Sequence, residues 1–205
     1  MTSRDIDRFF KALAREWAHS TDIILIGGAA AVIGGSRRPT FDVDFEVAFG
    51  GRRSSEDTEV FAAALHKAED ASGVQGQFTE DIGAWSAIAL PPWRGSVRPW
   101  KRYGQISVNL LDPAFYVVSK LRRGDADDFA DLVLIAKQSG VKWRQIAALC
   151  GRAASLSPAS TALRGFTRRV EYFFKARARE VWGPGFQPMP AIVLFRLAAK
   201  KGRRK

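Results

Sequence analysis

Residues 25–47 read LIGGAAAVIGGSRRPTFDVDFEV, and the reading of the whole chain turns on them. An apolar run, Ile23–Ile26, stops at the pair Gly27–Gly28 and resumes as Ala29–Ile33. A short unbroken apolar run suits a buried strand, and the glycine pair marks a turn after it. Ala29–Ile33 then reads as a short helix, with Gly34–Gly35 and Pro39 in the next connection. From Phe41 to Phe49 the pattern alternates. Phe41, Val43, Phe45 and Val47 fall on one face, and Asp42, Asp44 and Glu46 on the other. That is a half-buried strand with an acidic outer face.

Outward from this centre, a first helix is expected through about Ala18, capped by Ser3 or Asp5, with Ile6, Phe9, Phe10, Leu13 and Trp17 on one face. Glu56–Ala71 reads as an amphipathic helix, and Ala84–Leu90 and Gln105–Leu111 as strands. Between those strands, PPWRGSVRPWKRYG reads as a long hairpin or surface loop. Helices follow over Pro113–Leu121, Asp125–Gln138 and Trp143–Cys150. SLSPAS is a linker or helix start, and a long basic helix is expected over Ala159–Val181. WGPGFQPMP breaks it before a short last helix and a basic tail. Strands early and helices late point to an α/β (α+β) class: a small mixed sheet with a helical C-terminal part. The division expected is a core over 1–140 and a basic helical region over 141–205.

The 205 residues are 46% apolar, with six Trp and 14 Phe to fill a core. The longest apolar stretch, Ile23–Gly35, is about 13 residues, short of the ~20 that span a bilayer. The start, MTSRDIDRFF, is too charged for a secretory signal, and one cysteine, Cys150, forms no internal disulfide framework. A cytoplasmic protein with no membrane partner is the expectation. The net charge of +11 favours polyanions such as nucleic acid or nucleotides, or acidic proteins, although a basic soluble surface is the plainer alternative.

Asp42 and Asp44 leave one face of their strand, where two carboxylates repel unless a cation lies between them. Mg²⁺ (or Mn²⁺) prefers such oxygens, usually with substrate phosphates completing its shell. A glycine turn before a helix offers backbone N–H groups to phosphate. Together these parts suit a nucleoside triphosphate and its metal. Ser36 is either a phosphate contact or a turn residue.

The combination Ile26-Gly27-Gly28, thirteen residues, then Asp42-Val43-Asp44-Phe45 resembles the nucleotidyltransferase superfamily that includes DNA polymerase beta and the CCA-adding enzymes. Arg38, Thr40, Asp42 and Asp44 match a bacterial subgroup similar to abortive-infection toxins of toxin–antitoxin systems. A second block, Lys120-Leu121, Arg123-Gly124, Asp128 and Asp131, matches the same subgroup. The resemblance covers roughly residues 20–140 and implies a nucleotidyltransferase core. It further implies an NMP transferred from an NTP to an RNA (tRNA among them) or a protein, and a cognate antitoxin as partner. In that scheme Asp42 and Asp44 hold the metal and Lys120 faces phosphate charge. Gly27, Gly28, Ser36, Arg38, Thr40, Asp128 and Asp131 shape the nucleotide site. On the residues alone, Asp128 and Asp131 share a helix face, and a solvated edge or partners for Arg122 and Arg123 is the alternative.

The chain departs from the superfamily at its third carboxylate. The aligned position in QISVNLLD is the neutral Asn109. Glu46 lies roughly 13 Å along the strand from Asp42, too far for the same ion, which leaves Asp81 and Asp112 as substitutes. A non-catalytic nucleotide- or RNA-binding protein on a degenerate fold is therefore the competing reading, with an antitoxin or partner-bound scaffold as a third. Two histidines and one cysteine argue against a zinc cluster, and the G-x₄-GK[ST] loop is absent. The Trp93–Trp100 segment either stacks bases or packs as a hairpin on its own aromatics.

Overall fold

The computed structural model describes residues 1–49 and 55–201. The last residues of the expected basic tail, 202–205, lie outside them. The chain divides into two compact units, residues 1–82 with 97–111 and residues 83–96 with 112–205. The expected boundary at 140 falls inside the second unit.

The first unit is built from α1 (Ser3–Glu16), β1 (Thr21–Leu25), α2 (Gly27–Ile33), β2 (Asp42–Phe49), α3 (Ser55–Ser72), β3 (Gln75–Thr79), β4 (Val97–Tyr103) and β5 (Ile106–Leu111). The sheet runs β3-β2-β1-β5-β4. β1 is antiparallel to β2 and parallel to β5, β2 is parallel to β3, and β4 is antiparallel to β5. The mixed sheet expected from the sequence is therefore present, with helices dominating the C-terminal part.

Alternation sets which face is buried. Val43, Phe45 and Val47 of β2 are buried, and Phe45 meets Phe9 and Phe10 of α1 and Phe61 of α3 at ring distances of 5.9–6.3 Å. Phe41 breaks the pattern: it precedes the ladder and is 89% exposed. The first helix begins at a cap other than those expected. Thr2 is the N-cap, and Asp5 reaches back to accept from the Thr2 N–H at 2.7 Å.

The strands differ from the expectation in three places. Ala84–Leu90 is not a strand. Arg122 donates to the carbonyls of Gly83 and Ile88, and the Ser157 hydroxyl accepts from the Ala89 N–H, so side chains satisfy this backbone in place of a ladder. The segment expected as a long hairpin or surface loop contains β4, which pairs antiparallel with β5 as an edge strand and tolerates Pro99 at an irregularity between Pro99 and Lys101. β3 is polar and half-exposed, so no alternation announced it.

The second unit is helical: α4 (Pro113–Arg123), α5 (Ala126–Ser139), α6 (Trp143–Leu156), α7 (Thr161–Tyr172), a π turn (Phe173–Arg177), α8 (Ala178–Trp182) and α9 (Pro188–Lys201). Val117, Val118 and Leu121 of α4 join Leu132, Ile146, Phe166, Phe173 and Phe195 in one core. That shared core places α4 and α5 with the C-terminal helices. The expected single basic helix is interrupted by the π turn, and the last helix spans 14 residues where a short one was expected. Among the described residues no helix is long and apolar enough to cross a membrane.

Candidate functional site

Asp42 and Asp44 sit half-buried on one face of β2, opposite Gln75 and Gln77 of β3 in the register. The glycine pair explains what lies beside them. Gly27 has φ +59°, a left-handed conformation that favours glycine. A Cβ placed there would stand 2.1 Å from Asp44 Oδ2, and one on Gly28 would stand 2.4 Å from Thr40 Oγ1. The turn backbone thus rests directly on the Asp44 carboxylate and the Thr40 hydroxyl. The Ile26 N–H donates to the Asp44 carbonyl at 3.0 Å and fixes the strand end against the turn.

The segment leading to Asp42 is held by its own short polar side chains. Ser36 Oγ accepts from the Arg38 N–H at 3.2 Å, and Thr40 Oγ1 donates to the Asp42 carbonyl at 3.4 Å. Thr40 is buried, while Ser36 and Arg38 are half-buried. Six expected residues of the first block, Gly27, Gly28, Ser36, Thr40, Asp42 and Asp44, are therefore gathered around one turn and one strand end, with Arg38 in the same segment.

The candidates for a third carboxylate are otherwise engaged. Ile24 pairs with both Glu46 and Asn109, so these three stand side by side across β2, β1 and β5, on the face of Asp44. Glu46 is fully buried and accepts from the Ile82 N–H at 2.8 Å, which anchors the turn after β3. Asn109 Nδ2 donates to the Ile23 carbonyl at 3.4 Å. Asp112 caps α4 by accepting from the Ala114 N–H at 2.9 Å. Asp81 is exposed. Among the described residues no group of three or more His, Cys, Asp or Glu side chains is arranged to hold a metal.

The second block forms an ion cluster inside the helical unit. Lys120 Nζ donates to Asp128 Oδ1 at 2.9 Å and Asp131 Oδ2 at 3.0 Å, and these three side chains are at most 3% exposed. Arg123 adds two bonds to Asp128, at 2.7 and 2.6 Å. Burial pushes the Asp128 carboxyl up, but the Arg123 hydrogen bonds and the Lys120 charge outweigh it and hold the carboxyl below its ordinary value. The solvated-edge alternative does not hold for Asp128 and Asp131. The alternative of arginine partners holds for Asp128 with Arg123, and Lys120 is the partner the two aspartates share.

Sequence reasoning missed two structural arginines. Arg122 is 5% exposed and bonds the 83–88 backbone. Arg169, taken as part of a basic helix face, donates to the carbonyls of Leu121 and Arg122 at 2.8 and 2.7 Å and caps the end of α4. Nothing in a basic stretch distinguishes such an arginine from its solvated neighbours. In the Trp93–Trp100 segment, Trp93 is buried, and Trp100 lies 6.3 Å from the Tyr103 ring of the same strand. Compared with known proteins, the chain matches no family model, no curated protein and no solved structure.

Proposed function

We propose that this chain is a divalent-metal-dependent nucleotidyltransferase that moves an NMP from an NTP to an RNA or protein acceptor. The observation that carries the reading is the seating of the bare Gly27–Gly28 backbone on Asp44 and Thr40, beside a second carboxylate on the same strand face. Two half-buried carboxylates are a donor set that suits Mg²⁺ with substrate phosphates as its other ligands. When bound, the ion would neutralise phosphate charge and polarise the transferred phosphoryl group.

The chain's own residues have separate tasks. Asp42 and Asp44 hold the cation. Gly27 and Gly28 leave the turn without side chains, so the Asp44 carboxylate and the Thr40 hydroxyl seat directly against its backbone. Thr40 fixes the strand entry through the Asp42 carbonyl, and Ser36 sets the turn that carries Arg38. In transfer, the acceptor hydroxyl forms a bond to the α-phosphorus, the bond to pyrophosphate breaks, and the hydroxyl proton passes to solvent water. Lys120, Asp128 and Asp131 are assigned to holding α4 on α5, because each is satisfied within that cluster. The acceptor class and a role in a toxin–antitoxin pair rest on the resemblance of motifs alone.

Asn109 favours a second reading, a nucleotide- or RNA-binding protein without catalysis, because a neutral side chain at that position takes no proton from an acceptor. Each labelled NTP, incubated with Mg²⁺ and total RNA or lysate, decides between them. A labelled acceptor is expected from the native chain, with transfer at least about a hundredfold lower in the folded Asp42→Asn/Asp44→Asn variant. Equal transfer by that variant would sink the proposal. Salt-sensitive RNA binding without transfer, unchanged by the two substitutions, would establish the second reading.

A further inference from the structure

The helical unit holds a cleft that the nucleotide site does not use. It lies between α7 and α9 and has a volume of about 550 Å³, within the range that takes a small organic molecule. Small residues leave the space. α6 and α9 meet so closely that a Cβ on Gly151 would stand 2.4 Å from Ala198 Cβ and 2.7 Å from the Phe195 carbonyl oxygen. Beside this contact, Ala154, Ala159 and Ala199 line the cleft and are too short to fill it. Buried Leu163 and Phe195 close its floor. The aliphatic stems of Arg164, Arg168, Arg196 and Lys200, all exposed residues, add to its sides. Glu171, the carboxylate among the lining residues, accepts from Arg196 at 2.7 Å and pairs with Lys175 at 3.8 Å. Arg168 and Lys200 make no ion pair among the described residues.

We propose that this cleft binds a small organic monoanion with an apolar body, the class of a medium-chain acyl carboxylate. Charge and shape select it together. Four cations line the cleft against one carboxylate that Arg196 already neutralises, so the field there favours an anion. The alanines, Leu163 and Phe195 give a carbon chain an apolar seat, and Arg168 and Lys200 are available to its charged end. A bare inorganic anion leaves that seat empty, and a neutral chain leaves the two cations without a partner. A nucleic-acid strand uses the exposed charges but not the space beneath them. This inference is independent of the nucleotidyltransferase reading, since it involves neither Asp42 nor Asp44.

The test uses the full ¹⁵N-labelled chain and four defined probes. Octanoate has both charge and chain, octanamide the chain alone, acetate the charge alone, and an oligouridylate stands for nucleic acid. Saturable shifts at the amides of Leu163, Thr167, Phe195 and Ala199 are expected with octanoate, and binding at least fivefold weaker with octanamide and with acetate. Arg168→Gln is expected to weaken octanoate at least threefold and to leave octanamide unchanged. Ala159→Phe, which fills the cleft from an exposed position, is expected to weaken both. Circular dichroism checks the fold, and Lys200→Gln and Ala159→Leu replace whichever variant unfolds. Equal binding of octanoate and octanamide would overturn the proposal in favour of an apolar site without charge selection. Equal binding of octanoate and acetate would overturn it in favour of a plain anion site. Tighter binding of the oligouridylate at the same amides would overturn it in favour of a nucleic-acid surface. Absence of saturable shifts with octanoate, or octanoate binding unchanged in both folded variants, would remove the site.

Discussion

Lys120→Met is expected to destabilise the protein by about 3–5 kcal/mol, read as a lower urea midpoint, because it removes the cation that two buried carboxylates share. Asp131 then loses the Lys120 bond while enclosed at 1% exposure, and Asp128 keeps Arg123 and the Asp125 N–H. Methionine fills the lysine's volume, so packing loss contributes little. The signature of this mechanism is partial recovery when Asp131→Leu is added, since that removes one of the two buried negative charges the lysine balanced. A purely steric defect would deepen instead. The same cluster sets an acid limit. The Asp128 carboxyl is held below its ordinary value of 3.8. Its contribution is complete above that value and is lost as pH falls through the lower folded value. An unfolding midpoint that falls in acid in the native chain, and falls less in the Lys120→Met background, is the expected result.

Gly27→Ala is the second large effect. The new methyl would have to share space with Asp44 Oδ2, 2.1 Å away, in a backbone with φ +59°. The conformation alone costs about 1 kcal/mol and the overpacking about 1–3 kcal/mol more. Because the nearest atom is the end of a side chain, the structure yields by turning Asp44 away, not by opening the sheet. The expected outcome is a folded, moderately destabilised protein whose metal–nucleotide binding falls about as far as in Asp44→Asn. Thermal melts and calorimetric titration with Mg²⁺ and NTP separate the two consequences. A variant with native binding would show that the Asp44 orientation at the turn is not needed.

Much of the first unit was legible because burial there follows simple periods. Val43, Phe45 and Val47 alternate, and Phe9, Phe10 and Leu13 recur at helical spacing, so β2 and α1 announce themselves. β4 hid behind Pro99 and its run of cations, since an edge strand needs neither an apolar face nor every N–H. The apolar tract 84–90 misled in the opposite direction. Ile88 is buried, but Arg122, 34 positions away, supplies the hydrogen bond a strand partner would have given. For the candidate site, the two aspartates and the glycine pair were readable as a spacing. That Asp44 itself fills the space a Gly27 side chain would need was not. Nor was the saturation of Lys120 by Asp128 and Asp131, because identical residues on two helices read equally well as ligands or as a lock.

The central claim is that Asp42 and Asp44 hold a divalent cation together with a nucleotide at the Gly27–Gly28 turn. Paramagnetic broadening by Mn²⁺ in the presence of a non-hydrolysable NTP tests it most directly in the ¹⁵N-labelled chain. The account predicts broadening centred on the amides of Gly27, Gly28, Asp42 and Asp44, abolished in the folded Asp42→Asn/Asp44→Asn variant. Broadening centred elsewhere, or unchanged in that variant, would contradict it.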